Sequence, residues 1–235
     1  MRAAEVDPQV RLQNIALETQ ELLAERSMAW SETTNRATML MTIVGASVFA
    51  LALVGNATHF DDSFLMFALV VLPVVLVVGL STLGRIGELD LQDWRWVQGL
   101  NRLRHARLEL DPGFEQYLVT SAYDDVDAVL SAYGGEESTP ALHGFYILPS
   151  LIALINALIA GFLAADLLLV AHWSGLSASI VGVAVFILSI GVLIFTGYRS
   201  FVAATRAWVP RFPTPPNSSA VSEPVESGDP PKLPR

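Results

Sequence analysis

Four apolar runs interrupt an otherwise polar chain, at residues 37–56, 63–83, 147–170 and 177–198. The shortest has 20 residues. At about 1.5 Å per residue, a helix of that length crosses a hydrocarbon core of roughly 30 Å. The first, second and fourth runs carry no charge, and the third carries only Asp166. A helix packed in a water-soluble core would show a polar stripe along one face, which these runs lack. The pattern predicts an all-α integral membrane protein with four transmembrane helices in two hairpins, 37–83 and 147–198. The composition agrees, with 52% hydrophobic and 16% charged residues where a soluble domain carries about 25% charged.

The polar stretches have a helical period of their own. In 1–36, Asp7–Pro8 reads as an N-cap followed by proline at the first helical position. Leu12, Ile15, Leu22 and Ala29 then mark one face of an amphipathic helix that runs on into the first span. In 84–146, Ile86, Leu89, Trp96, Leu100, Leu103 and Leu110 occupy alternating a and d positions, with Asp93 and Arg107 in the two remaining a slots. Polar residues at such positions cost stability but fix register and partner. No proline separates this segment from the second span, so it is expected to continue that helix as a stalk, with Gly79, Gly84 and Gly87 as bending points. The competing arrangement lays 85–110 flat on the membrane surface. It is disfavoured because "GELDLQD" would set three acids nearest the headgroups. Asp111–Pro112 repeats the start signal, and Gly134–Gly135 closes a helical region with Phe114, Leu118, Val126, Val129 and Tyr133 turned inward. These faces predict a small cytoplasmic helical bundle. Residues 199–235 read as a basic helix end and a tail, and the eight prolines in 209–235 predict disorder there.

Charge placement sets the expected orientation. The net charge is −9, but the 14 Lys and Arg fall in three blocks plus the tail. The blocks are 2–36, 85–107 and 199–211, and the connections 57–62 and 171–176 have none. The positive-inside rule therefore puts both termini and 84–146 in the cytoplasm of a bacterium, with the multi-pass chain in its inner membrane. No signal peptide is evident, so insertion through the first span is expected. The absence of cysteine excludes disulfides and thiolate chemistry.

The stretch "DWRWVQGLNRLRHARLELDPGFEQYLVTSAYDD" resembles a segment of actinobacterial four-span membrane proteins in which Trp-Val-x-Gly-hydrophobic-Asn-Arg-hydrophobic-Arg-His lies between two pairs of spans. The matching residues here are Trp96, Val97, Gly99, Asn101, Arg102, Arg104 and His105, followed by Leu108–Glu109, Val119–Thr120–Ser121 and Asp124–Asp125. The resemblance covers about 35 residues and implies the four-span layout but no activity.

Candidate chemistry is sparse. His105 and Glu109 stand at i, i+4, but two ligands are too few for a metal and a surface ion pair is the better reading. The acids of "YDDVD" lack the supporting ligands of a calcium loop and read as a solvated helix start. The eight acids between Glu109 and Glu137 are placed to fold back on the preceding arginines. No catalytic residue, cofactor or metal is expected, and the protein is not expected to be an enzyme. In the third span, Asp166 is close enough to the helix end to reach water. Asn156 needs a partner, and Ala153, Ala157, Gly161 and Ala165 form a small-residue stripe for helix packing. Asp93, Trp96, Arg102, Arg104, His105 and Arg107 are the candidates for cytoplasmic interactions. The expected function is a non-enzymatic, membrane-anchored interaction or oligomerisation module. Its partners would be the lipid bilayer, further copies of itself and a cytoplasmic protein, with no nucleic acid. The alternative is an oligomeric channel or pore-forming effector, with Asn156 facing the conduit and Pro73 bending the second span.

Overall fold

The computed structural model describes residues 7–133 and 148–215. Two long helices come first. Helix α1, Pro8–Thr58, starts as expected: the Asp7 side chain accepts from the Gln9 amide at 2.9 Å, and Pro8 fills the first turn. It stops where His59 and Phe60 take positive φ of 52° and 59°. Helix α2, Asp62–Leu110, is capped by Asp61, which accepts from Ser63 and Phe64. Pro73 lies inside α2 without ending it. Both helices are therefore continuous from their apolar runs into their polar ones, as the unbroken period predicted.

The α1–α2 hairpin is locked by charge as well as by apolar packing. Ala29, Thr33, Ala37 and Leu40 of α1 are buried at steps of four, four and three residues, and Ile86 and Leu89 of α2 are buried with them. Ala37, Leu40 and Ile86 join Ile152 from the third span in one cluster. Arg11 pairs with Glu109, Arg26 with Asp93 and Arg85 with Glu32. Partner numbers rise on one helix as they fall on the other, which is an antiparallel pairing held in a single register. Hydrogen bonds from Arg85 and then Arg36 pull the Glu32 carboxyl down to about 2.

Helix α4, Leu148–Val170, follows, and α5, Gly175–Arg206, is capped by Ser174, which accepts from Ser177 at 3.3 Å. The four helices make an open row in which α2 and α4 are central: α1 packs on α2, α2 on α4, and α4 on α5. All four are long and apolar enough to cross a membrane, and there is no strand among the described residues. The polar ends of α1, α2 and α5 lie on the same side of the apolar runs: Arg26 of α1 meets Asp93 of α2, and Phe201 of α5 meets Trp94 beside it.

Between the hairpins the expected helix is largely absent. Pro112–Tyr117 is a 3-10 turn, 118–125 is irregular, and α3 covers only Val126–Ser131. The cause is local. Val119 and Thr120 are β-branched, and Ser121 bonds the Tyr123 amide at 3.0 Å, holding the chain in a turn. Asp125 then restarts the helix by accepting from Ala128 at 2.9 Å. Of the residues expected inward, Val129 is fully buried against Trp94 and Val97, with Val126 beside it. Phe114 lies under Arg107, Leu118 is half-buried and Tyr133 bonds Asp93. Gly134–Gly135 lie outside the described residues.

The α2 stalk buries two faces where the heptad pattern indicates one. Ile86, Leu89 and Leu100 are buried on the expected face, with Trp96, Leu103 and Leu110 half-buried. A second face of Trp94, Val97, Gln98 and Asn101 is also buried.

Candidate functional site: a clasp at the foot of the stalk

That second face is the floor of the most polar buried site in the described structure. Asn101, fully buried, donates to the Tyr123 carbonyl at 2.7 Å and accepts from Arg104. It thereby pins the irregular 118–125 stretch to α2. This brings Asp124, 0% exposed, against Arg102, whose Nε donates to it at 2.6 Å.

The rest of the site comes from beyond α5. Residues 207–215 leave the helix and cross the Asp124 turn as an irregular strap that bends at Arg211 and Phe212. The Arg211 and Phe212 amides donate to the two Asp124 carboxylate oxygens at 3.0 and 2.7 Å, and the Thr214 amide donates to Asp125 at 2.6 Å. The Asp124 amide returns a bond to the Phe212 carbonyl at 3.1 Å, and its carbonyl accepts from the Trp208 indole at 2.9 Å. Two aromatic rings anchor the strap. Trp208 lies under Arg102, 4.4 Å from its guanidinium carbon, and Phe212 stacks on His105 at 4.1 Å. Phe201, near the end of α5, meets Trp94 edge-on at 5.5 Å. With its amide oxygen turned toward the indoles, Gln98 accepts from Trp94 at 2.9 Å.

Burial by itself would raise the Asp124 carboxyl. The Arg102 side chain and the two backbone amides outweigh it, and the net shift is downward. At Asp125 burial is likewise outweighed, by the Thr214 and Ala128 amides. A carboxyl held below its free value stabilises the closed strap above pH of about 4, and that stability is lost as pH falls through the bound value. A fluorine label on Phe212 should therefore report strap release on acidification below about pH 4. Asp124→Asn should remove most of that response; an unchanged acid profile in the variant would show that Asp124 does not hold the strap.

These contacts absorb most of the expected interaction residues. Asp93 binds Arg26 and Tyr133, Arg102 binds Asp124, Arg104 donates to Asn101, and Arg107 covers Phe114. Trp96 alone lines a shallow groove of about 210 Å³, with Glu25, Met28, Glu32, Arg85 and Gln92. His105 does not pair with Glu109, which turns to Arg11. Asp124 and Asp125 are no solvated pair: only Asp125 caps a helix, and Asp124 is buried. The sequence also places 209–215 in the disordered tail, whereas these residues are docked. Residues 216–235 lie outside the described ones. The strap's signal is its punctuation. Pro210, Pro213 and Pro215 have no amide, and the amides between them, at Arg211, Phe212 and Thr214, are those the two aspartates take.

In the spans, Asn156 is 1% exposed and packs on α2 within the same chain: a side chain at Gly79 would collide with its amide oxygen. It does not face a conduit in this arrangement. Its amide donates to the Ile152 carbonyl at 2.9 Å. Asp166 is 6% exposed and does not reach water as expected, because its helix turns it into the packed face. Ala153 and Ala157 are buried, and Gly161 and Ala165 meet Gly182 of α5.

Comparison with protein-family models, curated proteins and solved structures finds no match.

Proposed function

We propose that the chain is a membrane anchor whose α1–α2 hairpin stands in the cytoplasm as a non-enzymatic interaction and oligomerisation module. The observation that carries this reading is the length of the hairpin. Both helices run unbroken for about 40 Å beyond their apolar runs, at about 1.5 Å per residue. A stalk of that length presents surface far from the bilayer. On α1, Val10, Leu17 and Met28 are 43%, 58% and 65% exposed, with Met28 at the rim of the groove beside α2. Their spacings of 7 and 11 residues keep them on one face. Such a row supports contact with further copies of the chain.

The orientation rests on the placement of Lys and Arg. Reporter fusions at Asp62 and Gly175 are expected to read as external, and fusions at Pro213 as cytoplasmic. Kinship with the actinobacterial four-span family rests on the Trp96–His105 stretch.

The test is mass measurement in lipid nanodiscs. The wild type is expected to be oligomeric, and Leu17→Lys with Met28→Lys is expected to be a single protomer with an unchanged unfolding midpoint. A single-protomer wild type, or discrete current steps across a planar bilayer, would overturn the reading in favour of a solitary anchor or a channel.

A further inference from the structure

The clasp has the make-up of a peptide-binding groove filled by the chain's own strap. Recognition runs through backbone amides: three consecutive amide-bearing residues of 211–214 donate to the carboxylates of Asp124 and Asp125. Pro210, Pro213 and Pro215 fix φ at three positions flanking the bend at Arg211 and Phe212, so less chain entropy is lost on docking. The side chains contribute two aromatic anchors, Trp208 and Phe212, and the Thr214 side chain adds a bond to Asp125. Both rings are half-buried, and the rest of 207–215 is exposed.

Other features make this contact reversible where the spans are not. The strap buries little apolar surface. Phe212 of the strap stacks on His105, whose buried Nδ1 has no hydrogen-bond partner among the described residues, so the closed state carries a polar group that they leave unmet. The groove itself stands without the strap: Asn101 fixes the Asp124 turn through the Tyr123 carbonyl, and Val129 packs α3 on α2. What the strap adds is a tie between α5 and the stalk, since α5 otherwise packs mainly on α4.

We propose that this groove is a recognition site for a proline-punctuated protein segment of the form Trp-x-x-x-Phe-Pro, and that residues 207–215 are its resident ligand, displaced when such a segment arrives in trans. The inference rests on the reading of the stalk as an interaction module and gives that module a partner class. Displacement removes the strap's tie between α5 and the stalk and leaves only the Phe201–Trp94 end of α5 against α2, which links partner binding to the second membrane hairpin.

The probe is the synthetic peptide of residues 207–215, Ala-Trp-Val-Pro-Arg-Phe-Pro-Thr-Pro. The chain has no cysteine, so spin labels enter cleanly at Val119→Cys and Val209→Cys, both exposed. In the full-length labelled protein, peptide is expected to convert a growing fraction of molecules to a longer, broader label separation. Tethering gives the strap an effective concentration in the millimolar range, so competition requires peptide at that level. The same peptide with both aromatics changed to alanine is expected to have no effect. A full-length Trp208→Ala, Phe212→Ala variant, its groove intact and vacated, should bind fluorescent wild-type peptide roughly 10-fold more tightly than the parent. That factor corresponds to a strap closed about nine-tenths of the time.

A label separation unmoved by millimolar peptide overturns the proposal, and does so in a folded protein whether or not the double variant folds. Equal displacement by the alanine peptide overturns it too, because the anchors would then carry no recognition. Neither result touches the nanodisc mass measurement, so the groove can fail while the module reading stands.

Discussion

Asp124→Ala is expected to destabilise the clasp by about 3 kcal/mol, the lower end of the range for breaking a buried ion pair. The carboxylate is fully buried, and its loss strips partners from Arg102 and from the Arg211 and Phe212 amides. Arg102 keeps about a third of its side chain in solvent, and the strap amides can turn to water once released. Both effects hold the cost near the lower end. The damage should be local. Far-UV circular dichroism should show the spans intact, while labels at Val119 and Val209 report an open strap. Asp124→Asn keeps the shape but sets an amide against a guanidinium, and should fall between wild type and alanine. Arg102→Ala, Asp124→Ala and the double variant form a cycle whose coupling should exceed about 1 kcal/mol for groups in direct contact. A loss below about 0.5 kcal/mol for Asp124→Ala, the size of an ordinary surface substitution, would mean that the strap is not held there.

The contrast between the legible and illegible parts of this chain follows from the range of the forces. The spans and the continuous stalks are readable because each depends on a period within one segment: runs without charge for α1, α2 and α5 and with Asp166 alone for α4, and a/d spacing through Ile86, Leu89 and Leu100. Their caps are equally local, at Asp7 and Asp61. The fold-back of acids on arginines was visible as charge, although not which acid meets which arginine. The clasp is another matter. Asp124 lies 87 and 88 residues from its amide donors, and no periodicity links them. Composition misled twice. Proline in 209–215 suggests an unpacked tail, whereas it restricts the backbone on either side of the amides that dock. Acids in 124–127 suggested solvation, whereas Asp124 faces a guanidinium and two amides. The burial of Gln98 and Asn101 has no signal in the sequence, because a polar residue on a second helix face looks like a solvated one until something covers it. In the third span the small-residue stripe was readable, since close approach demands small residues on any helix, but its partner was not.

Gly161→Leu is the variant expected to disrupt the membrane part most. Lipid tails are as apolar as the side chains, so association between spans rests on van der Waals contact at close approach. At this crossing two glycines face each other. A Cβ on Gly161 would lie 2.8 Å from the Gly182 carbonyl oxygen and 3.0 Å from Phe186 Cβ, and a Cβ on Gly182 would lie 2.9 Å from the Gly161 carbonyl. Backbone cannot yield as a side-chain tip does, so a leucine must push α5 away along much of its length. Overpacking of this kind costs about 1–3 kcal/mol in a core that can relax, and occasionally more. An obstacle made of backbone belongs at the upper end. Gly182→Leu should do equal harm, and the pair together should cost less than the sum, because the second leucine enters a gap already opened. Asn156→Leu is the control from another face of α4. The Asn156 amide bonds only a carbonyl of its own helix, and its side-chain oxygen has no hydrogen-bond partner among the described residues. Its replacement should shift stability by about 1 kcal/mol or less. Thermal unfolding in mild detergent orders the three: Gly161→Leu and Gly182→Leu well below the parent, Asn156→Leu close to it. If Gly161→Leu unfolds with the parent, α4 and α5 do not cross there and the stripe faces lipid.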